Sequence, residues 1–427
     1  MSDQPREYDA VLGGGNQPPI YGAVLGGIEG VKRRLANPDV KVQIAGLYQA
    51  LNYGDAGFDL IIKALRYSSE RVQVAAYKLL RDIPSAKVKQ IIKEFNAYQF
   101  FECLHTITIE HHPAAIAIHP DGETLVCAAV GNSSDEGIGG VDLHFTKWNL
   151  LTGKKINSVC RNSKNLIQDV VVCHAISPDA KTLAIGNNIQ EDKSNKIEIW
   201  NIETAQLSQV INHKSIWRLG KNKKIKKFEI TTFTFNKNGN ILAVASKTGN
   251  IIIWDLEKRK NIYTISASAS AIKSLAISKN GNNLISGSAD GVIKIWDLNN
   301  GKELSQIKAH DESITSIAIS PDGNTLISSD ENLPKHIKVW DVADSKLIRD
   351  TIPSMYGNTQ FIANSLNQKI MVSCGNETCI WDLNKRLLIA TLKDRNRKVY
   401  TSSATISPDE KTIATIFHKQ IKIWGLP

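Results

Sequence analysis

The pattern of apolar and polar positions changes near residue 100. Residues 28–96 are rich in Ala, Leu, Lys and Gln, and apolar residues recur there at the three- and four-residue spacing of an amphipathic helix. Examples of this spacing are Val40, Ile44, Leu47 and Leu51. Downstream, runs such as 316–320 and 325–328 alternate with a period of two, which is typical of strands. The pattern therefore predicts a helical N-terminal part followed by an all-β remainder.

A β-rich phrase that ends in tryptophan recurs through the second part. Seven of the eight tryptophans close such a phrase, as in Ile293-Lys-Ile-Trp296-Asp. They are Trp148, Trp200, Trp254, Trp296, Trp340, Trp381 and Trp424. The successive gaps are 52, 54, 42, 44, 41 and 43 residues. The last four match the ~40–45-residue period of a propeller blade, and the first two are that period with insertions.

Each of these units also contains a tight turn between two β-rich runs, for example Ser320-Pro-Asp-Gly323. Proline presets φ, Asp or Asn bonds its own backbone, and Gly accepts a positive φ. The other copies begin at His119, Ser177, Asn236, Ser278, Ser365 and Ser407. Turns this short predict antiparallel pairing of their flanking strands.

Together, the turn, the run Leu284-Ile-Ser-Gly-Ser-Ala-Asp-Gly291 and the phrase around Trp296 resemble the core of a WD repeat. The resemblance covers roughly residues 101–427. It implies an all-β, seven-bladed β-propeller of WD-repeat type, with four-stranded antiparallel blades around a central channel.

The two ends of the propeller are predicted to join. The sequence ends three residues after Trp424, so the last unit lacks an outer strand of its own. Cys103-Leu104-His-Thr-Ile107 copies the pattern of Leu304-Ser-Gln-Ile307, which follows Trp296 as an outer strand. We therefore expect strand 103–109 to close the ring, which removes two exposed sheet edges.

The WD resemblance also implies a hydrogen-bonded set of four side chains: a His, a Ser or Thr, a turn Asp and the Trp. Partial matches are His310, Ser328 and Trp340 in one blade, and Ser286, Asp290 and Trp296 in another. Thr248 replaces the Asp in a third blade. No blade matches all four, so we expect apolar packing between sheets to contribute most of the stability.

The N-terminal part is predicted to have two segments. Residues 1–27 form a Gly/Pro-rich, partly ordered arm. Residues 28–98 form a helical module, in which Val42-Gln-Ile-Ala-Gly46 recurs as Val72-Gln-Val-Ala-Ala76. This repeat resembles a short HEAT-like pair, and the arrangement looks like the N-terminal module of multidomain bacterial WD-repeat proteins.

Composition narrows the chemistry. The net charge of +10 and the pI of about 9.1 permit attraction to acidic proteins, nucleic acid or anionic lipid. No Cys-x-x-Cys pair occurs among Cys103, Cys127, Cys160, Cys173, Cys374 and Cys379. We therefore expect buried reduced thiols, no metal and no cofactor. No apolar run reaches the ~18 residues of a membrane span, which favours a cytoplasmic protein.

Insertions mark one face of the predicted ring. Three lie between second and third strands, at 131–140, 188–195 and 330–335, and one precedes a first strand, at 212–227. Because strands alternate in direction, these two kinds of loop emerge on the same face. The partner-binding candidates on them are Asp135, Glu136, Glu191, Asp192, Trp217, Arg218, Lys221, Lys223, Lys224, Lys226, Lys227, Asp330 and Glu331.

The stretch from Trp217 to Lys227 has two interpretations. Trp and Arg are frequent at binding hot spots, and five lysines would attract an acidic partner. Alternatively, Trp217 packs under its own loop while the lysines are solvated surface. Insertions are also tolerated on any surface at small loop-closure cost.

No catalytic constellation emerges from the sequence. The ten histidines lack metal-ligand spacing, and Cys173 and His174 are neighbours on a predicted strand, so they point to opposite faces. The chain is therefore predicted to be a non-enzymatic scaffold that binds protein partners through the elaborated propeller face and the helical module. One alternative is nucleic-acid or acidic-partner binding through the 221–227 loop. Another, by analogy, is a propeller enzyme or cofactor-handling protein.

Overall fold

A computed structural model describes most of the chain. It covers residues 27–132, 141–163, 171–187, 195–212, 228–320, 322–331, 337–351, 361–364, 370–374, 378–382, 387–392 and 403–427. Contacts divide the chain after Phe101, and Glu102–Gly425 form the second of two units. Residues 1–26 of the predicted N-terminal arm lie outside the described residues.

The first unit is helical, as its hydrophobic periodicity predicts. Its helices are α1 (Gly27–Leu35), α2 (Val40–Ala50), α3 (Gly54–Tyr67), α4 (Glu70–Leu80) and α5 (Ala86–Glu94), with 3-10 turns at Leu51–Tyr53 and Ala97–Phe100. Asp39 caps α2 by accepting the backbone N–H of Lys41 at 2.8 Å. One core holds the inward faces of these helices, including Val31, Leu47, Ile61, Leu65, Val72 and Leu80.

The second unit contains 28 strands among the described residues. They are β1 (Glu102–Thr108), β2 (His112–Ile118), β3 (Thr124–Asn132), β4 (Val141–Asn149), β5 (Lys155–Ser163), β6 (Val171–Ile176), β7 (Thr182–Asn187), β8 (Lys196–Asn201), β9 (Gln206–Asn212), β10 (Ile230–Phe235), β11 (Ile241–Ser246), β12 (Asn250–Asp255), β13 (Lys260–Ser266), β14 (Ile272–Ile277), β15 (Asn283–Ser288), β16 (Val292–Asp297), β17 (Glu303–Lys308), β18 (Ile314–Ile319), β19 (Thr325–Asp330), β20 (Ile337–Asp341), β21 (Lys346–Thr351), β22 (Phe361–Asn364), β23 (Ile370–Cys374), β24 (Thr378–Asp382), β25 (Leu387–Leu392), β26 (Ser403–Ile406), β27 (Thr412–Phe417) and β28 (Gln420–Gly425).

These strands form seven four-stranded sheets. Sheets I to VI are β2–β5, β6–β9, β10–β13, β14–β17, β18–β21 and β22–β25, each in sequence order. Sheet VII runs β26, β27, β28, β1. The first strands of successive sheets contact one another, and β26 contacts β2. The fold is thus a β-propeller preceded by helices.

The ring closes through antiparallel pairing of β1 with β28, which places Cys103 opposite Trp424 and Thr108 opposite Gln420. Leu104 packs against Gly425, where an added Cβ would approach its Cδ1 to 2.9 Å. The N-terminal strand therefore occupies the outer position of sheet VII.

A bulge opposite the repeated tryptophan recurs in all seven sheets. In sheet IV the register shifts between Ile295 and Trp296, and equivalent shifts occur at the other six tryptophans. In sheet VII the shift falls between Cys103 and His105. The outer strand therefore has one extra residue at the bulge. Beyond the bulge, the side chains of the outer strand point to the opposite face of the sheet.

The expectation that no blade carries the complete polar set is wrong for sheet V. His310 Nδ1 lies 3.1 Å from Asp330 Oδ2, and His310 Nε2 lies 2.7 Å from Ser328 Oγ. Trp340 Nε1 donates to the same Oγ at 2.9 Å. The carboxylate of this set is not that of a turn Asp. It belongs to Asp330, the last residue of β19, which pairs with Ile314. The equivalent residue of sheet IV is Ser288, which pairs with Ile272.

Candidate partner-binding face

Two kinds of loop share one face of the second unit. Glu331, in the connection after β19, donates its backbone N–H to the carbonyl oxygen of Ser313, just before β18, at 2.9 Å. Likewise, Lys247 after β11 donates to Glu229 O, just before β10, at 2.8 Å. We call this surface the loop face: the connections between second and third strands, and those preceding first strands.

Most of the sequence-predicted candidates belong to segments outside the described residues. These are Asp135 and Glu136 in 133–140, Glu191 and Asp192 in 188–194, and Trp217, Arg218, Lys221, Lys223, Lys224, Lys226 and Lys227 in 213–227. Their participation in binding stays a prediction.

Phe228, the residue directly after the basic segment, belongs to the core. It is fully buried and packs with Ile197, Ile230 and other apolar side chains between sheets II and III. Asn195 Nδ2 donates a hydrogen bond to its carbonyl oxygen. Phe228 therefore does not offer a ring for stacking on a nucleic-acid base, which leaves Trp217 as the aromatic of that segment.

Asp330 is corrected from a partner-binding candidate to a structural residue. Its side chain is 3% exposed, and its carboxylate contacts His310 inside sheet V. A carboxylate accepts only, so His310 Nδ1 carries a proton and donates it to Asp330, while Nε2 contacts the Ser328 hydroxyl. The sequence pattern misplaced Asp330 because it stands next to the insertion that begins after β19.

Glu331 is exposed on the loop face, and its Oε1 is 3.8 Å from Lys273 Nζ of sheet IV. Its part in binding stays a prediction. A similar exposed pair joins Lys247 Nζ and Glu229 Oε2 at 3.4 Å. Exposed pairs of this kind contribute about 0–1 kcal/mol each. The described part of the loop face therefore carries mixed charge, and the largest run of positive charge lies in 221–227.

An open cleft of about 650 Å³ lies between the outer strands of sheets II and III, lined by Leu207, Ser208, Gln209, Val210, Trp254, Arg259, Lys260 and Asn261. In the part of the chain that the structure describes, Trp254 Nε1 is buried without a hydrogen-bond partner. Sheet IV shows the reason. There Trp296 Nε1 donates to Ser286 at 2.9 Å, and the registers place Val244 at the position of Ser286.

The cysteines depart in part from the expected buried thiols. Cys127 and Cys379 are buried, Cys103 and Cys173 are half-buried, and Cys160 is exposed. Burial raises the pKa of Cys127 to about 12. Cys160 Sγ lies 3.7 Å from His144 Nε2, and Asp142 completes a cluster of possible metal ligands. Sequence spacing missed this cluster because the cross-strand register creates it.

Residues 93–333 match the family model described as Nucleolar protein 10-like, N-terminal domain, a β-propeller. The match covers more than half of the chain and extends through β19. The chain belongs to this family. Within it, the WD-type resemblance and the propeller fold are confirmed.

Comparison with a solved structure shows the same fold. A chain in "Crystal Structure of Mitotic Checkpoint Complex" is 16% identical, with a TM-score of 0.56 over 76% of this chain and 95% of that chain. No curated protein matches the sequence.

These comparisons give no support to a bacterial resemblance, since the matching family is described by a nucleolar protein. They also do not address the HEAT-like character of the helices. Among the helices that the structure describes, none has the length and apolar character needed to cross a membrane.

Proposed function

We propose that this protein is a seven-bladed propeller that acts as a non-enzymatic scaffold, binding protein partners through the loop face and the HEAT-like helical module. The observation that carries this proposal is the joining of both loop types on one face by backbone hydrogen bonds, as between Glu331 and Ser313 at 2.9 Å. A rigid ring that displays variable loops is a common basis for recognition.

The closed ring supplies the rigidity that such a surface needs. Apolar clusters fill the spaces between neighbouring sheets, for example Ile285, Ile314 and Trp340 between sheets IV and V. Because each sheet is held on both sides, the loops begin and end at fixed points. Preorganised loops lose less conformational entropy when a partner binds.

A second candidate function is nucleic-acid or acidic-partner binding through the 221–227 segment. Five lysines in seven residues and the net charge of +10 favour it. The burial of Phe228 weighs against base stacking there. The family description names a nucleolar protein. The nucleolus, rather than the cytoplasm expected from the sequence, is therefore the first location to test with a tagged chain.

Affinity capture separates these functions. The baits are the intact protein and a variant with Lys221, Lys223, Lys224, Lys226 and Lys227 changed to Glu. A matched control reverses five exposed lysines in or beside turns on the opposite side of the sheets, at 181, 237, 260, 302 and 411. Bound proteins and nucleic acids are identified by mass spectrometry and sequencing.

The scaffold proposal predicts a defined protein partner that the control variant retains. Nucleic acid that is bound by the intact protein and the control, and lost with the loop variant, would support the second function, and its affinity would fall steeply with salt. Capture of neither a defined protein nor nucleic acid by the intact protein would contradict both.

A further inference from the structure

Three side chains with metal-binding atoms meet on one face of sheet I. Asp142 and His144 are two residues apart on β4, so both point to the same face. Cys160 on β5 lies directly opposite His144 in the register. Their ligand atoms all lie within 4.8 Å of one another. A strand pair of the rigid ring thus holds a carboxylate, an imidazole and a thiol together.

The spacing fits tetrahedral coordination. Zinc binds thiolate sulfur at about 2.3 Å and imidazole nitrogen at about 2.0 Å, so a tetrahedral angle separates the two ligand atoms by about 3.5 Å. Cys160 Sγ and His144 Nε2 are 3.7 Å apart, close to this separation without any rearrangement of the backbone. The mixed sulfur, nitrogen and oxygen set suits Zn²⁺ better than the all-oxygen preference of Mg²⁺ or Ca²⁺.

We propose that Asp142, His144 and Cys160 form a Zn²⁺ site on sheet I, with the fourth coordination position open to water or an added ligand. This proposal does not rest on the scaffold function. Binding transfers one proton from the Cys160 thiol to solvent as the sulfur–zinc bond forms. The occupied site links β4 to β5 across their hairpin.

His111 orients the imidazole of His144. The two rings stack with centroids 3.6 Å apart and an interplanar angle of 16°. His111 lies in the segment between β1 and β2, where Lys419 Nζ donates to the neighbouring Glu110 O at 3.0 Å. His111 is therefore a positioning residue that connects the site to the ring closure.

The test uses the full-length chain, stripped with a chelator and kept reduced, and titrated with Co²⁺ as a spectroscopic probe for Zn²⁺. We expect one equivalent of Co²⁺ to give the strong visible bands of a tetrahedral site and a thiolate-to-cobalt charge-transfer band, both removed by one equivalent of Zn²⁺. Bound Zn²⁺ should also protect Cys160 from alkylation, measured by mass spectrometry.

Cys160→Ser and His144→Ala should each weaken binding by at least about 100-fold, and His111→Ala by about tenfold. Cys379→Ser is the control and should leave the spectrum unchanged. Cys160 is exposed, so its serine variant keeps the native fold, checked by circular dichroism. No tetrahedral cobalt spectrum, or one that persists in Cys160→Ser, would overturn the proposal and leave only a thiol–imidazole contact.

Discussion

The Ser328 hydroxyl accepts a hydrogen bond of 2.9 Å from the indole Nε1 of Trp340, and both side chains are buried. The same oxygen contacts His310 Nε2 at 2.7 Å. Among the described residues, the Ser286 hydroxyl in sheet IV contacts only the indole of Trp296. We predict that Ser328→Ala lowers the free energy of unfolding by about 2–3 kcal/mol. The substitution leaves two buried groups, the Trp340 indole N–H and His310 Nε2, without their hydrogen-bond partner.

Ser286→Ala is the matched comparison. It should lower the free energy of unfolding by about 1–2 kcal/mol, because only the Trp296 indole N–H loses its acceptor. Urea unfolding followed by tryptophan fluorescence measures both. Equal losses of unfolding free energy from the two substitutions would show that the hydrogen bonds of His310 to Ser328 and Asp330 do not stabilise sheet V.

The unpaired Trp254 Nε1 leads to a second prediction. In sheet VII, Thr415 Oγ1 accepts the indole N–H of Trp424 at 3.0 Å, and Val244 occupies the corresponding position in sheet III. Val244→Thr supplies the missing acceptor, so its free energy of unfolding should stay within about 1 kcal/mol of the wild type.

Val126→Thr is the control, because Val126 is fully buried in the apolar cluster between sheets I and II. A hydroxyl without a partner there should cost about 1–3 kcal/mol. Thermal or urea unfolding distinguishes the two variants. A loss from Val244→Thr as large as that from Val126→Thr would mean that the added hydroxyl does not pair with the indole.

The turn aspartates predict acid sensitivity. Burial alone would raise the pKa of Asp121, but the backbone N–H groups of Glu123 and Thr124, at 2.8 and 2.9 Å, and the Thr124 hydroxyl lower it overall. The folded-state pKa therefore lies below the unfolded value of about 3.9. The ionised form stabilises the fold above that value, and this stabilisation is lost as the pH falls through the lowered pKa.

Asp121→Asn keeps an oxygen acceptor but has no charge to titrate. Its stability should therefore fall less than that of the wild type as the pH decreases from about 5 to about 2. Unfolding midpoints across this range test the expectation. Parallel profiles for variant and wild type would contradict it.

The sequence predicted the architecture because the repeated signals are local. Each repeated tryptophan lies on the third strand of its sheet, and the outer strand expected at Leu304–Ile307 is β17. The period-two alternation and the short turns determine strand and hairpin within about 40 residues. The pairing of Cys103 with Trp424 could be anticipated because its strand copies an outer-strand pattern.

The cluster of Asp142, His144 and Cys160 was harder to predict because it depends on the register between β4 and β5. The turn after β4 pairs Asn149 with Lys154 by a backbone hydrogen bond, and that register alone would set His144 opposite Val159. The bulge at Trp148 shifts the pairing by one residue, so Cys160 faces His144 instead. A one-residue shift changes the face of every later side chain, and spacing in the sequence does not reveal it. The misassigned Asp330 likewise needed the fold to bring His310 beside it.

Closure of the ring by β1 is the claim on which the rest depends. Ile109 N donates to Lys419 O at 2.8 Å, so Thr108 and Gln420, the next pair, face each other without mutual backbone hydrogen bonds. Such pairs have Cα atoms about 4.5 Å apart, within the range that a disulfide spans. Cysteines at these two positions should therefore bond.

The most direct measurement is oxidation of Thr108→Cys with Gln420→Cys in a Cys103→Ser background, analysed by peptide mapping. We predict a monomer in which the peptides carrying 108 and 420 are disulfide-linked. A control pairing Thr108→Cys with Lys308→Cys, on the outer strand of sheet IV, should stay reduced. Failure of the 108–420 pair to link within one chain, or linkage only between two chains, would contradict the closed ring.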